Sequence, residues 1–141
     1  MAKLTLEQAN TIIDVAMQKG RDGKMKPLSV AVLDAGGNLV AFKKADNSSV
    51  MRFEIAFGKA YGAVGMGMPS RNIENMAQQR PHFANALAAA SGGRIIPVAG
   101  GILIKAKDGE VLGSVGVTGD TSDNDELAAK AGVEAAGLAT D

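Results

Sequence analysis

Apolar positions along the chain change period several times, and each change of period marks an element. Thr5-Leu6-Glu7-Gln8 has the form of a capping box, in which a threonine hydroxyl and a glutamine three residues later satisfy free backbone N–H groups. Leu6, Ala9, Ile13, Ala16 and Met17 then recur on one helical face, and Gly20 ends that helix. Residues 21–27 read as a polar linker. Residues 28–33 and 39–43 are strand-like runs. Between them Asp34-Ala35-Gly36-Gly37-Asn38 supplies residues that accept positive φ, so the pair is read as a β-hairpin. Ser48 or Ser49 is placed to cap a helix over 50–64, which Gly65, Gly67 and Pro69 break. Ser70 would cap a short helix through Met76, ending before Pro81.

Residues 81–93 look irregular and suited to a pocket wall. Residues 95–98 read as a strand confined to an edge by Pro97. Residues 101–106 and 111–117 are clearer strands, joined through Asp108-Gly109 as a second hairpin. Ser122 would cap the last helix, with Asp125 at its third position and Leu127, Ala128, Ala131 and Leu138 facing inward. The expected order is α-β-β-α-α-β-β-β-α. Two hairpins without βαβ crossovers give an α+β fold, an antiparallel sheet flanked by helices.

The 141 residues suit one domain spanning 1–141. Trp is absent and Phe and Tyr are few, so packing must come from small side chains. Fifteen basic and fifteen acidic residues are interspersed, and no basic run alternates with aromatics, which argues against a nucleic-acid partner. Without cysteine there is no disulfide framework, thiolate metal site or thiol nucleophile. A single histidine leaves only carboxylates to complete a zinc site, so no metal site is expected. No apolar run approaches the ~20 residues of a membrane helix, so no membrane partner is expected. The first eight residues lack the apolar core of a signal peptide, which makes the cytoplasm the expected location.

The segments just placed carry a resemblance. Residues 30–42, VAVLDAGGNLVAF, are similar to the first hairpin of the GlcG/HbpS-like family, and AFGKAY at 56–61 to its central helix. GGILI at 100–104 and DGEVLGSVGVTG at 108–119 resemble its second hairpin, and 123–131 its acidic entry into the final helix. The resemblance implies a profilin-like sheet-and-helix fold and assembly into homo-oligomers, with a pocket formed partly at subunit contacts. Relatives include haem-binding and haem-degrading proteins, domains attached to cobalamin adenosyltransferases, and proteins encoded beside small-molecule catabolic enzymes. Haem or another tetrapyrrole is the ligand it implies.

Several residues could carry chemistry. Lys59 stands where the family motif also has lysine. Arg52, seven residues earlier, shares its helix face, while Tyr61 points elsewhere. Two cations two turns apart can hold a carboxylate-bearing ligand. The alternative is pairing with Glu54 or with acids of another subunit. His82, the only histidine, could ligate haem iron or act as a general base, or sit exposed in its loop. Asp34 could be a base at a pocket rim, although an aspartate before a glycine turn usually bonds the turn's own amides.

Asp120, Asp123, Asp125 and Glu126 surround the last helix's N-terminus, where capping is a more ordinary role for them than cation binding. Gly113, Gly116 and Gly119 fail as a nucleotide loop and instead fit strand positions approached closely by another backbone. Met51, Met66, Met68 and Met76 suit core filling or a soft ligand. The composite expectation is an oligomeric small-ligand protein in which His82 or a methionine meets haem iron and Arg52 or Lys59 the propionates. Its rival is a cofactor-independent isomerase, hydratase or lyase acting on a small carboxylated catabolite. There Arg52 and Lys59 grip the carboxylate and Tyr61, His82 or Asp34 moves a proton. A structural subunit without its own ligand is the third alternative.

Overall fold

A computed structural model describes residues 3–141. The capping box forms as expected: Gln8 N–H donates to Thr5 Oγ1, and Thr5 N–H to Gln8 Oε1, each at 3.0 Å. It opens α1 (Leu6–Asp22), followed by the hairpin β1 (Ser29–Asp34) and β2 (Leu39–Lys44). Three helices come next: α2 (Arg52–Met66), α3 (Ser70–Gln79) and α4 (Pro81–Ala90). The second hairpin, β3 (Gly101–Lys105) and β4 (Val111–Thr118), leads into α5 (Ser122–Ala135). The strands form one antiparallel sheet in the order β2-β1-β4-β3, so the two hairpins join through β1 and β4. The fold is α+β.

Each face of the sheet has its own layer. Val30, Val32, Ile102, Ile104, Val115 and Val117 project onto α1 and α5, where Ile12, Ile13, Ala128 and Val133 complete the core. A bulge between Ile104 and Lys105 brings Leu112 into that same core. The opposite face carries α2, which at two points lies so close that only glycine fits beneath it. A Cβ on Gly116 would stand 2.1 Å from the Ala56 carbonyl oxygen, and one on Gly101 2.2 Å from that of Lys59. Gly113 and Gly119 are likewise pressed against backbone carbonyls, so the close approach expected at Gly113, Gly116 and Gly119 is present, and Gly101 adds a fourth such position.

Two segments differ from expectation. Residues 81–90 form α4, because proline at the first helical position starts a helix instead of ending one. Residues 95–98 form no strand. Their backbone crosses α2 at its glycines, with Ile96 N–H donating to Gly58 O at 3.2 Å and Ile95 packed on Gly62. The order is thus α-β-β-α-α-α-β-β-α.

Capping also departs at three helices. Met51 is the N-cap of α2, and it offers no side-chain bond. Ser70 is the first residue of α3; its hydroxyl donates to Val98 O at 2.7 Å and accepts from Gly101 N–H at 2.8 Å. Thr121, one residue before Ser122, caps α5. Leu6 and Leu127, expected to face inward, are 59% and 54% exposed. Leu127 lies one step off the buried stripe set by Ala128, Ala129 and Val133, whereas Leu6 is in line with Ala9 and Ile13 but is the first residue of α1.

Candidate functional site

Lys59 sits on the sheet-facing side of α2 and is 2% exposed. Its Nζ donates to Val117 O at 2.9 Å and to Asp125 Oδ2 at 3.1 Å. Asp125, also buried, accepts the Asp120 N–H on its other oxygen at 2.9 Å. The partner of Lys59 is therefore an acid from the first turn of α5, not Glu54. Burial pushes the Lys59 pKa below the usual lysine value; Asp125 opposes that shift and the Arg52 charge adds to it. Burial likewise pushes the Asp125 carboxyl up, against the pull of Lys59.

The other acids of this cluster hold tertiary contacts. Asp120 accepts from Lys26 N–H and from Asn124 Nδ2, bonds that keep its pKa below the ordinary value. Asp123 and Glu126 pair with Arg71 on α3. Among the described residues, no three His, Asp or Glu side chains gather as metal ligands.

Arg52, at the first turn of α2, donates from Nη1 to Thr118 Oγ1 at 2.7 Å and from Nε to Ser49 Oγ at 3.0 Å. Thr118 directly follows Val117, so Arg52 and Lys59 meet neighbouring residues of β4, Arg52 nearer the surface and Lys59 within. Tyr61 belongs to a half-exposed aromatic row that continues through Phe57 and Phe53 to Phe42, with centroids 5.7, 5.8 and 5.0 Å apart. The Arg94 guanidinium lies over the Tyr61 ring and donates to its hydroxyl at 3.2 Å.

The Tyr61 ring also packs on Gly37, which brings it beside the turn that contains Asp34. Asp34 Oδ1 accepts the Gly36 and Asn38 N–H groups at 2.9 and 3.0 Å, the ordinary bonding of such a turn. His82 stands exposed near the start of α4 and makes no hydrogen bond or ion pair with any of these groups. Lys59 and Arg52 are thus neighbours, Tyr61 and Asp34 are neighbours, and His82 is bonded to none of them.

Two clefts open at opposite ends of the sheet. One, of about 420 Å³, has Asp34, Asn38 and Glu110 at its rim over Leu4, Val40 and Leu112. The other, of about 480 Å³, lies between the C-terminal end of α1 and the ends of β1 and β2. Met17, Met25 and Leu28 supply its apolar wall, and Arg21, Lys26 and Lys44 its cations; Asp46 also lines it. The loop after α1 folds back to form this wall: Met25 N–H donates to Gly20 O at 2.9 Å, and the Met25 thioether lies over Gly20. Lys26 N–H is tied to Asp120, and Asp120 N–H to Asp125, so the wall is anchored to the buried ion pair.

Sequence reasoning passed over this second cleft by taking 21–27 as a linker and Met17 as core. The signal available was the mixture of methionines and cations in residues 17–27, a composition unusual for a linker.

Comparison with known proteins matches this architecture. Residues 4–134 fit the family described as haem degrading protein HbpS-like, and the chain belongs to that family. An uncharacterised 15.0 kDa protein from the dhaT–dhaS intergenic region of Citrobacter freundii is 27% identical over 134 residues, which cover 95% of this chain and 92% of that one. A double mutant of Streptomyces reticuli HbpS is 27% identical with a TM-score of 0.81, over 95% of this chain and 87% of its own. The PduOC:haem complex has the same fold at 20% identity, with a TM-score of 0.87 over 99% of both chains. No described helix is long and apolar enough to cross a membrane.

Proposed function

We propose that this chain binds haem or a related tetrapyrrole in the cleft between α1 and the ends of β1 and β2. The observation that carries this reading is the lining of that cleft. Two thioether side chains stand beside three cations in about 480 Å³, within the ~300–1,000 Å³ typical of small-molecule sites. A planar, largely apolar dianion carrying an iron suits such a wall. Met17 or Met25 would offer the iron a soft thioether donor, Leu28 would add apolar contact, and Arg21, Lys26 and Lys44 would balance the propionate charge. When bound, haem supplies a redox-active iron; the chain's own residues orient it and balance its charge. Membership in the HbpS-like family supports the choice of ligand.

The roles first sought at His82, Lys59 and Arg52 take second place in this reading. His82 lines neither cleft, Lys59 is occupied inside the molecule, and Arg52 opens on a different surface. Titrating the purified protein with haem tests the proposal. A saturable Soret shift is expected that weakens in Met17→Leu or Met25→Leu and in Lys44→Gln. A response lost only in His82→Ala would move the site to α4. A non-saturable response in the unsubstituted protein would sink haem binding and favour the carboxylated catabolite, with Arg52 as its grip and Asp34 and Tyr61 as the groups that move a proton.

The protein is further proposed to act as a homo-oligomer. Helix α4 carries Phe83, Leu87 and five alanines, yet none of its residues is buried. Val50 is 92% exposed and Met51 57%. Apolar surface of this kind usually marks a contact.

A further inference from the structure

The first turn of α2 gathers hydrogen-bond donors without matching acceptors. Arg52, its first residue, satisfies Nη1 on Thr118 and Nε on Ser49, but no carboxylate among the described residues lies within salt-bridge distance of its guanidinium. The helix has no side-chain cap. Arg52 N–H reaches Ser49 O and Ile55 N–H reaches Met51 O, while the Phe53 and Glu54 N–H groups find no acceptor among the described residues. Glu54 supplies the only acid of this turn; its side chain is exposed and takes no bond from these amides.

A second, independent observation points the same way. The Ser29 hydroxyl is completely buried and has no partner, and Ser29 stands opposite Thr118 in the β1–β4 register. Cross-strand partners project from the same face of a sheet. Ser29 therefore lies on the α2 side, beside the hydroxyl that orients Arg52. The Ser48 hydroxyl, one residue before the Ser49 that also holds Arg52, is a second buried group without a partner. Lys59 adds positive charge from within, bonded to Val117 immediately before Thr118.

The geometry points to a binding site for a small oxyanion, a carboxylate or a phosphate, formed by Arg52, the free first-turn amides of α2 and the Ser48 hydroxyl. Helix N-termini present N–H groups and a favourable dipole to anions. A guanidinium held by two hydroxyls offers its remaining edge in a fixed orientation. Thr118 and Ser49 fix that orientation, and the unpartnered Ser29 hydroxyl lies on the same face of the sheet beside Thr118. The Lys59 ammonium contributes field and makes no contact with the anion, because two of its protons are already committed and the group is buried. This site is separate from the methionine-lined cleft and stands whether or not haem binds there.

The test is a titration of the ¹⁵N-labelled full chain with sodium acetate and, separately, sodium phosphate, with sodium chloride holding ionic strength constant. Saturable amide shifts are expected at Phe53, Glu54 and Ser48, with apparent affinity falling about tenfold or more in Arg52→Gln. Tighter binding of acetate assigns a carboxylate ligand, and tighter binding of phosphate a phosphorylated one; either supports the site. Linear, non-saturating shifts with both anions overturn it, as does an affinity unchanged in Arg52→Gln. Should Arg52→Gln lose its dispersed spectrum, Thr118→Val carries the test. It keeps the buried shape while removing the hydroxyl that holds the guanidinium, and unaltered binding in it overturns the proposal.

Discussion

Lys59 and Asp125 illustrate how a buried charge pair reads at the scale of one residue. Both are almost fully buried, 3.1 Å apart, and each keeps a second bond to backbone. Removing one partner leaves an uncompensated charge in the interior, a loss of ~3–5 kcal/mol in comparable pairs, whereas replacing both by apolar groups of similar volume is often neutral. Asp125→Asn and Lys59→Met should each lower the urea midpoint strongly, while Lys59→Met/Asp125→Leu should recover most of the loss. The pH dependence follows from sign. The lowered Lys59 pKa means that the unfolded chain binds more protons than the folded one between the folded and unfolded pKa values. Stability in Asp125→Asn, where the opposing carboxylate is gone, should therefore rise with pH on the alkaline side, more steeply than in the unsubstituted protein. Denaturation midpoints measured from pH 7 to pH 10 would show it; a flat profile would mean that Lys59 had moved out to solvent.

Elements succeeded or failed in the sequence according to whether local signals and tertiary demands agreed. The capping box of α1 and the Asp34 turn are local devices, and both form as expected. Residues 95–98 carry the composition of an edge strand, but the glycines of α2 offer their backbone a place against the helix, and that tertiary contact prevails. Ser70 has the chemistry of a cap and spends it on Val98 and Gly101, joining α3 to the start of β3. The polar wall of the larger cleft was harder to read, because Arg21 and Lys26 come from the end of α1 and the loop after it, Lys44 and Asp46 from the end of β2 and beyond, and only the fold brings them together. Gly116 shows how exacting the α2–sheet contact is. An alanine there would set Cβ 2.1 Å from the Ala56 carbonyl oxygen, so the helix must shift as a unit. Overpacking of this kind costs ~1–3 kcal/mol, and a backbone collision belongs at the upper end. Gly116→Ala should lower the urea midpoint accordingly, while Gly109→Ala, where no atom lies near the added carbon, should show only the milder cost of its positive φ.

For the whole molecule, the division of apolar surface matters more than any single contact. The face built by α1 and α5 closes over a fully buried core. The α2 side does not close, and it leaves a half-exposed aromatic row, the exposed Val50 and Met51, and the unburied helix α4. A lone domain gains nothing from holding an apolar helix against water, because the hydrophobic term rewards only area removed from it. A second copy covering this side would bury that area. This makes a substitution test decisive. At a position 92% exposed, Val50→Asp should change the stability of a monomer by no more than about 0.5 kcal/mol. In an oligomer that buries Val50, the same change sets a carboxylate in an apolar contact and should shift the species towards smaller mass. Light scattering of the unsubstituted protein should report a multiple of the 14.4 kDa chain, falling in Val50→Asp combined with Leu87→Asp while the far-ultraviolet spectrum stays unchanged. A single-chain mass in the unsubstituted protein at all concentrations would refute assembly, and the open apolar side would then require a different partner.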